Sequence, residues 1–374
     1  MEEMTDEHGG FYCAQDADSE GEEGKYYVFT PEEIRTVLGE EDGCRFCEYY
    51  QITKRGNFKD ASIPNRIGRK YDKEEDSQMK EFRQKLYEYR RKRWKLHKDD
   101  KILTSWNSLM IAAFVKAYQV VGDVNYMNVA RCAYQFISQE MRNENKRLYV
   151  RYRDGHRSGL GNLEDYAYFI FAQITLYEAT FDPNYLSQAV ADTNEMIRLF
   201  WDEKNGGFYF YGSDAENLIL RPKEFYDGAM PSGNSMAAYV LVKLEKITRR
   251  EEYWKVADRQ FTFLNREIKT YPTSATFALC AMMIQLLEGR EIVCVIKNPL
   301  DMDELRQLLR KYFLPETVVV PIEEHSAKGL AIAAPYTKEY DRTEEESEFY
   351  ICEGFQCNPP FTGIEKLKKY LELK

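Results

Sequence analysis

Apolar residues recur at helical spacing through the middle of the chain, and they do so three times. The stripes are Leu109, Ala112, Ala113, Val115 and Ala117, then Ala167, Phe169, Ile170, Ile174 and Leu176, then Met236, Ala237, Val240, Leu241 and Leu244. Each covers a wide arc of its helix, which predicts inner helices buried on most sides. They begin near Ser105, Asn162 and Ser232. A short turn and a second, more charged helix follow each one. Tyr126, Tyr185 and Tyr253 open the second helices, with Ala130, Ala189 and Ala257 four residues later. Residues at i and i+4 share a helix face, so the three pairs mark equivalent contact patches. The repeating unit is therefore a helical hairpin with an inner and an outer member.

Further elements frame the repeat. A fourth inner helix is expected over Ser274–Leu287, behind Pro272, and a charged helix over Gln78–Trp94. Thr30-Pro31-Glu32-Glu33 is a capping box with proline in the first helical position, so a helix starts there. Met1–Asp6 reads as the tail of an outer helix. Repeated hairpins build either a solenoid or a closed ring. The links between hairpins are long and carry strand-like pieces, among them the matching Gly9-Gly10-Phe11-Tyr12 and Gly206-Gly207-Phe208-Tyr209. Long links gathered at one end of a ring make a cleft there. From Glu291 the period changes to strand (Ile292–Ile296), helix (Met302–Tyr312), strand (Val318–Val320), a Glu-rich loop (Lys338–Glu348), strand (Phe349–Cys352) and helix (Ile364–Leu373). The expected division is an (α/α) toroid over 1–288, with about four of six hairpins, and a small α/β module over 289–374.

Charge narrows the function classes. The net charge of −10 disfavours nucleic acid, whose phosphates require a basic face. The basic run Arg90–Lys95 continues a charged helix and reads as its solvated face. No apolar run reaches the ~18 residues of a membrane span, and the first residues contain no signal-peptide core, so a cytoplasmic location is expected. Cys132, Cys280 and Cys294 fall in apolar patterns and read as core residues. Cys44-x-x-Cys47 follows no strand and reads as one face of a helix. Cys352 and Cys357 follow a strand. They are read by default as free thiols, with a redox or structural pair as the alternative.

Several stretches carry candidate chemistry. In a ring of hairpins the inner helices run parallel, so Ser105-Trp106-Asn107, Asn162-Leu163-Glu164-Asp165-Tyr166 and Pro231-Ser232-Gly233-Asn234 collect at one rim. Carboxylates and amides for hydroxyls, with aromatic faces for C–H surfaces, are what a sugar requires. Glu164 and Asp165 are the acid/base candidates, since glycoside hydrolysis uses two carboxyl groups of different pKa. The alternative is that they only complement the helix dipole. Trp106, Asn107, Tyr166, Ser232 and Asn234 are candidate ligand contacts. Asp16-x-Asp18-x-Glu20-Gly21 imitates the start of a calcium loop, but the twelfth position is Tyr27, where a bidentate glutamate is needed. Gln15, Asp16 and Asp18 are therefore read as hydroxyl ligands or a capped turn, and neither metal nor cofactor is assigned. A sugar epimerase needs paired acid/base groups, usually histidines. Of the four histidines only His156, in the loop before Glu164, is placed for it.

Four motifs, in order, carry a resemblance. They are Gly9-Gly10-Phe11-Tyr12-Cys13-Ala14-Gln15-Asp16-Ala17-Asp18-Ser19-Glu20-Gly21, Asp99–Asn107, Leu163-Glu164-Asp165-Tyr166-Ala167, and Arg221-Pro222-Lys223-Glu224 with Asp227–Asn234. The chain resembles the spermatogenesis-associated protein 20 family, which includes bacterial YyaL-like proteins. The resemblance implies a six-hairpin toroid of the kind shared with glycosidases and N-acylglucosamine 2-epimerase, preceded by a thioredoxin-like domain that this sequence lacks. It also adds Asp227 to the candidate ligand contacts. On this reading the ring is incomplete at its N-terminus, and self-association or a partner would cover the gap. The expected function is a carbohydrate-binding or carbohydrate-processing toroid with a small-molecule sugar ligand. The alternative is a non-catalytic binding or scaffold region of a thioredoxin-domain protein.

Overall fold

The computed structural model describes residues 3–69, 77–216, 219–287, 289–340, 345–353 and 356–372. The chain forms two compact units, one of Met1–Met4 with Tyr12–Asp100, the other of Thr5–Phe11 with Lys101–Lys374. The expected boundary at 288 falls inside the second of these units. Residues 289–374 belong with the hairpins because their strands and helices pack directly on them.

The first unit holds strands β1 (Ala14–Gln15), β2 (Asp18–Ser19) and β3 (Glu22–Glu23), helices α1 (Pro31–Leu38), α2 (Glu40–Tyr49) and α3 (Ser77–Arg93), and strand β4 (Lys98–Asp99). Thr30 caps α1 with the reciprocal Thr30–Glu33 bonds that its sequence foretells. Phe29, Ile34, Phe46, Ile52, Met79, Phe82 and Leu86 form a core of this unit's own. Cys44 and Cys47 both lie on α2. Residues 3–8 are turns and a single bridge, Thr5 to Phe11, rather than a helical tail. Of the Glu-rich loop, residues 341–344 lie outside the described residues.

The second unit is built on hairpins. Strand β5 (Ile102–Leu103) leads into α4 (Thr104–Val121) and α5 (Val124–Glu140). The hairpin β6 (Tyr149–Arg153) and β7 (His156–Leu160) leads into α6 (Leu163–Thr180) and α7 (Pro183–Phe200). A long loop then leads into α8 (Gly233–Thr248) and α9 (Glu251–Ile268), and α10 (Thr276–Leu286) follows. The inner helices pack in the order α4, α6, α8, α10, while α5, α7 and α9 lie behind them. Among the described residues this unit has three hairpins and a fourth inner helix. α6 is apolar nearly all round, and 14 of its residues are buried. The alanines that mark the outer helices, Ala130, Ala189 and Ala257, are at most 1% exposed.

The sheet is mixed. Strands β8 (Arg290–Ile296) and β9 (Val318–Glu323) are parallel, joined through α11 (Pro299–Leu309). β10 (Glu348–Glu353) is antiparallel to β8, and the short β11 (Gln356–Cys357) and β12 (Phe361–Thr362) pair with β10. Helices α12 (Ala327–Ala333) and α13 (Ile364–Glu372) complete the module, and α12 packs on α7. Register puts Cys352 opposite Cys357, and the two form a disulfide, not free thiols. Cys294 is buried as expected, but Cys132 and Cys280 are exposed. Each lies on a helix that buries only part of its circumference, so an apolar neighbourhood in sequence does not place it inside. The fold is mainly α, of the (α/α) hairpin type, with a small α/β module. Among the described residues no helix is long and apolar enough to cross a membrane.

Candidate functional site

The N-terminal ends of α4, α6, α8 and α10 share one rim, and hydrogen bonds stitch it together. Asn162 and Asp165 form a capping box at α6, in which the Asp165 Oδ2 accepts the Asn162 backbone N–H at 2.8 Å. Its Oδ1 accepts the Ser105 N–H of α4 at 3.1 Å. Asp227 repeats the device between α8 and α10. Its Oδ1 accepts the Ser232 N–H at 2.8 Å and its Oδ2 the Phe277 N–H at 2.7 Å. One carboxylate thus spans two helix N-termini, where backbone donors lack intrahelical partners. The Tyr168 hydroxyl donates to the Pro231 carbonyl, tying α6 to α8. A Cβ on Gly233 would lie 2.9 Å from Leu163, so only glycine lets α8 start this close to α6.

Two asparagines hold the matching Gly-Gly-Phe-Tyr loops. The Phe11 N–H donates to the Asn107 Oδ1 at 2.6 Å, and the Asn107 Nδ2 returns a bond to the Phe11 carbonyl at 3.0 Å. Phe208 and Asn234 make the same pair of bonds, at 2.8 and 2.9 Å. Asn234 also donates to the Glu224 carbonyl at 2.7 Å and accepts from the Gln260 Nε2 at 2.9 Å. Both amides are buried and spent on the protein. They are fasteners, not the ligand contacts that their sequence position led us to expect. The repeat Ser105-x-Asn107 and Ser232-x-Asn234, each paired with a Gly-Gly-Phe-Tyr loop, is the signal that identifies them.

Other expected contacts fall in the same way. Tyr166 is 0% exposed, and its hydroxyl accepts the Leu148 N–H. Ser232 is the N-cap of α8 and accepts from the Ser235 N–H at 3.1 Å. His156 opens β7 at the tip of a hairpin. Asp154 and Gly155 both have positive φ, the geometry of a two-residue type I′ turn. That turn puts His156 about 13 Å of strand away from Leu160. Gln15, Asp16 and Asp18 belong to the first unit. There Gln15 meets Glu3 and Tyr27, and Asp16 and Asp18 are exposed.

Among the described residues, Trp106, 44% exposed in the first turn of α4, and Glu164 in the first turn of α6 stand on this rim without a side-chain hydrogen bond. The expected pair Glu164 and Asp165 is split by burial. Asp165 is 2% exposed, and burial pushes its carboxyl up to about 7 against the pull of the Asn162 and Ser105 N–H groups. Glu164 is only partly buried, and among the described residues its carboxylate accepts no hydrogen bond. Burial raises its pKa, and the charge of Glu224 raises it further. Glu224 lies in the Arg221–Glu224 motif, and its sequence position alone does not mark it as a neighbour of Glu164. Its loop is anchored by Lys223, whose ammonium binds the Asp202 Oδ2 at 2.7 Å and the Gly206 carbonyl at 2.5 Å. That bond, foremost, holds the Asp202 carboxyl well below the usual range. Among the described residues no cluster of three or more His, Cys, Asp or Glu side chains is arranged to hold a metal.

Comparison with known proteins adds relatives of the whole chain. No family model matches it. Human spermatogenesis-associated protein 20 is 26% identical over 98% of this chain and 52% of its own length. An uncharacterized protein of Caenorhabditis elegans is 27% identical over 99% of the chain and 55% of its own length. Among solved structures, a family 76 α-mannanase of Bacteroides thetaiotaomicron superposes with a TM-score of 0.42 at 14% identity, covering 75% of this chain and 69% of its own. Cellobiose 2-epimerase of Spirochaeta thermophila gives 0.38 at 15% identity, covering 43% and 42%. The chain spans about half the length of the curated relatives it matches, and along almost all of its own length it is a homologue of the proteins named spermatogenesis-associated protein 20.

Proposed function

We propose that the rim of the inner helices is a carbohydrate-binding cleft in which Glu164 is the proton-transferring group and Glu224 the second carboxyl. The observation that carries this reading is the state of Glu164. It is a partly buried carboxyl with a raised pKa, without a hydrogen bond from the protein among the described residues, beside a second carboxylate. A general acid near neutral pH needs that environment. Trp106 supplies an exposed aromatic face on the same rim for the C–H side of a sugar ring. Asp165, Asp227, Asn107 and Asn234 act as positioning residues: they fix the helix ends, and Asn234 holds the backbone of Glu224.

A second reading, a binding or scaffold rim without turnover, is favoured by the number of polar side chains spent on the protein itself. One experiment separates the two. A thermal-shift screen of neutral mono- and oligosaccharides finds a ligand, because a molecule that binds only the folded state raises the melting temperature. The ligand is then incubated with the wild type and with Glu164→Gln, and products are followed by chromatography. Conversion lost in Glu164→Gln with binding retained supports catalysis. Binding without conversion in either protein supports the scaffold reading. No shift with any sugar, or a shift unchanged by Trp106→Ala, refutes the cleft.

A further inference from the structure

A cavity of about 390 Å³ lies at the opposite ends of the same helices, between the hairpins and the α/β module. It is lined by Tyr118 of α4, Met127 and Arg131 of α5, Ala179 and Thr180 of α6, and Asp303, Arg306, Gln307 and Arg310 on or just after α11. An 18-residue helix is about 27 Å long, so this cavity is remote from Glu164.

Its charge is opposite in sign to the net charge of the chain. Three guanidinium groups face one carboxylate, in a chain whose net charge is −10. Asp303 is engaged on its own helix, its Oδ1 3.1 Å from the Arg306 Nη1. The Arg306 Nη2 donates to the Thr180 carbonyl at 3.3 Å, which fixes that guanidinium at the wall. Arg310 stacks on the Tyr118 ring at 4.5 Å, and among the described residues its N–H groups make no hydrogen bond and no ion pair. A half-buried guanidinium held over an aromatic ring, with its donors unspent, is a preorganised anion receptor. Met127 and Ala179 add apolar wall, and the volume is at the small end of the range for organic ligands.

We propose that this cavity binds a small phosphomonoester. Phosphate matches the site in two ways. A dianion balances three positive charges set against one negative charge, and its oxygens accept the paired N–H groups of a guanidinium fork. The space beyond the phosphate, bounded by Tyr118, Met127 and Ala179, takes the organic group of the ester.

Calorimetric titration at fixed ionic strength tests the proposal with glycerol 3-phosphate, inorganic phosphate and glycerol as probes. Saturable 1:1 binding of glycerol 3-phosphate is expected, with weaker binding of inorganic phosphate and none of glycerol. Arg310→Gln and, independently, Gln307→Glu should each weaken binding tenfold or more. Gln307 is exposed, so that variant decides the matter if Arg310→Gln fails to fold. No saturable heat with glycerol 3-phosphate overturns the site. Affinity unchanged in the folded variants overturns its location. Inorganic phosphate binding as tightly as the ester overturns the organic pocket.

Discussion

At their N-terminal ends the inner helices hold carboxylates, and at the other end they draw in cations. Asp165 and Asp227 accept from backbone N–H groups at four helix starts. At the C-terminal ends Arg306 donates to the last carbonyl of α6, and Arg310 lies beside Gly122, the C-cap of α4. Both arrangements follow the helix dipole. Glu178 breaks the rule, as a carboxylate in the last turn of α6. It is rescued by the ammonium of Lys243 at 2.6 Å and that of Lys116 at 3.9 Å. Burial opposes its ionisation, but the two lysines outweigh burial and hold its pKa below the usual range. The contrast teaches where freedom remains. At the rim backbone donors engage Asp165 and Asp227 and leave Glu164 unclaimed. The far end has no such donors and needs side-chain pairs.

The sharpest way to break the comparison is to remove the pair. Lys243 is 3% exposed, and Lys243→Met leaves Glu178 with only Lys116. Losing one partner of a buried pair costs about 3–5 kcal/mol, and the remaining lysine places this case near the lower figure. Adding Glu178→Gln should recover most of the loss. Urea denaturation of the two variants measures both, and a single variant as stable as the wild type would show the pair to be idle.

The next effect lies at the rim. Asn234 satisfies the N–H and carbonyl of Phe208 and the carbonyl of Glu224, and it accepts from Gln260. Asn234→Ala should therefore cost roughly 2–3 kcal/mol through buried groups left unpaired. Asn107→Ala should cost less, because that amide engages only Phe11 and Leu103. Equal losses from the two, read by thermal denaturation, would deny that anchoring Glu224 adds to the second fastener.

Asp165→Asn sharpens the comparison through pH. The folded carboxyl titrates at about 7, above its ordinary value of 3.8. Between those values the folded state holds a proton that the unfolded state has released, so wild-type stability falls as pH rises through that window. The variant has no such slope. Its amide turns a donor toward one of two backbone N–H groups, which costs about 1–2 kcal/mol at pH 4. That gap should narrow as pH rises to 7. Denaturation curves at pH 4.5 and 8 measure it, and a gap that widens would place the Asp165 pKa below its ordinary value.

Much of this arrangement was legible in the chain. α6 declared itself because apolar residues occupy almost every turn, and the Tyr–Ala pairs placed the outer helices. The fasteners were not legible one at a time. Asn107 and Asn234 carry the same groups that a sugar-binding amide would, and only their partners 96 and 26 residues away reveal the role. Glu178 and Lys243 left a fainter trace, as lone charges inside apolar stripes. Cys352 and Cys357 needed the strand register before their pairing followed. The arginine cavity draws on α4, α5, α6 and α11, and no local pattern records that meeting.

The smallest expected change in stability is also the most informative about function. Glu164 has a raised pKa, so its charged form is disfavoured in the folded protein. The unfolded carboxyl loses its proton first as pH rises, and wild-type stability declines until the folded group has titrated. Glu164→Gln removes that decline. The variant should match the wild type at pH 4 and be slightly more stable at pH 8, within about 0.5 kcal/mol. A side chain that only complemented the helix dipole would give the opposite sign, because its loss would cost stability at pH 8. Melting temperatures at the two pH values, with circular dichroism to confirm the fold, separate these outcomes. A gain at pH 8 together with lost sugar conversion is what a strained catalytic carboxyl produces. A loss at pH 8 would return Glu164 to the ordinary run of first-turn acids and leave the rim without a proton donor.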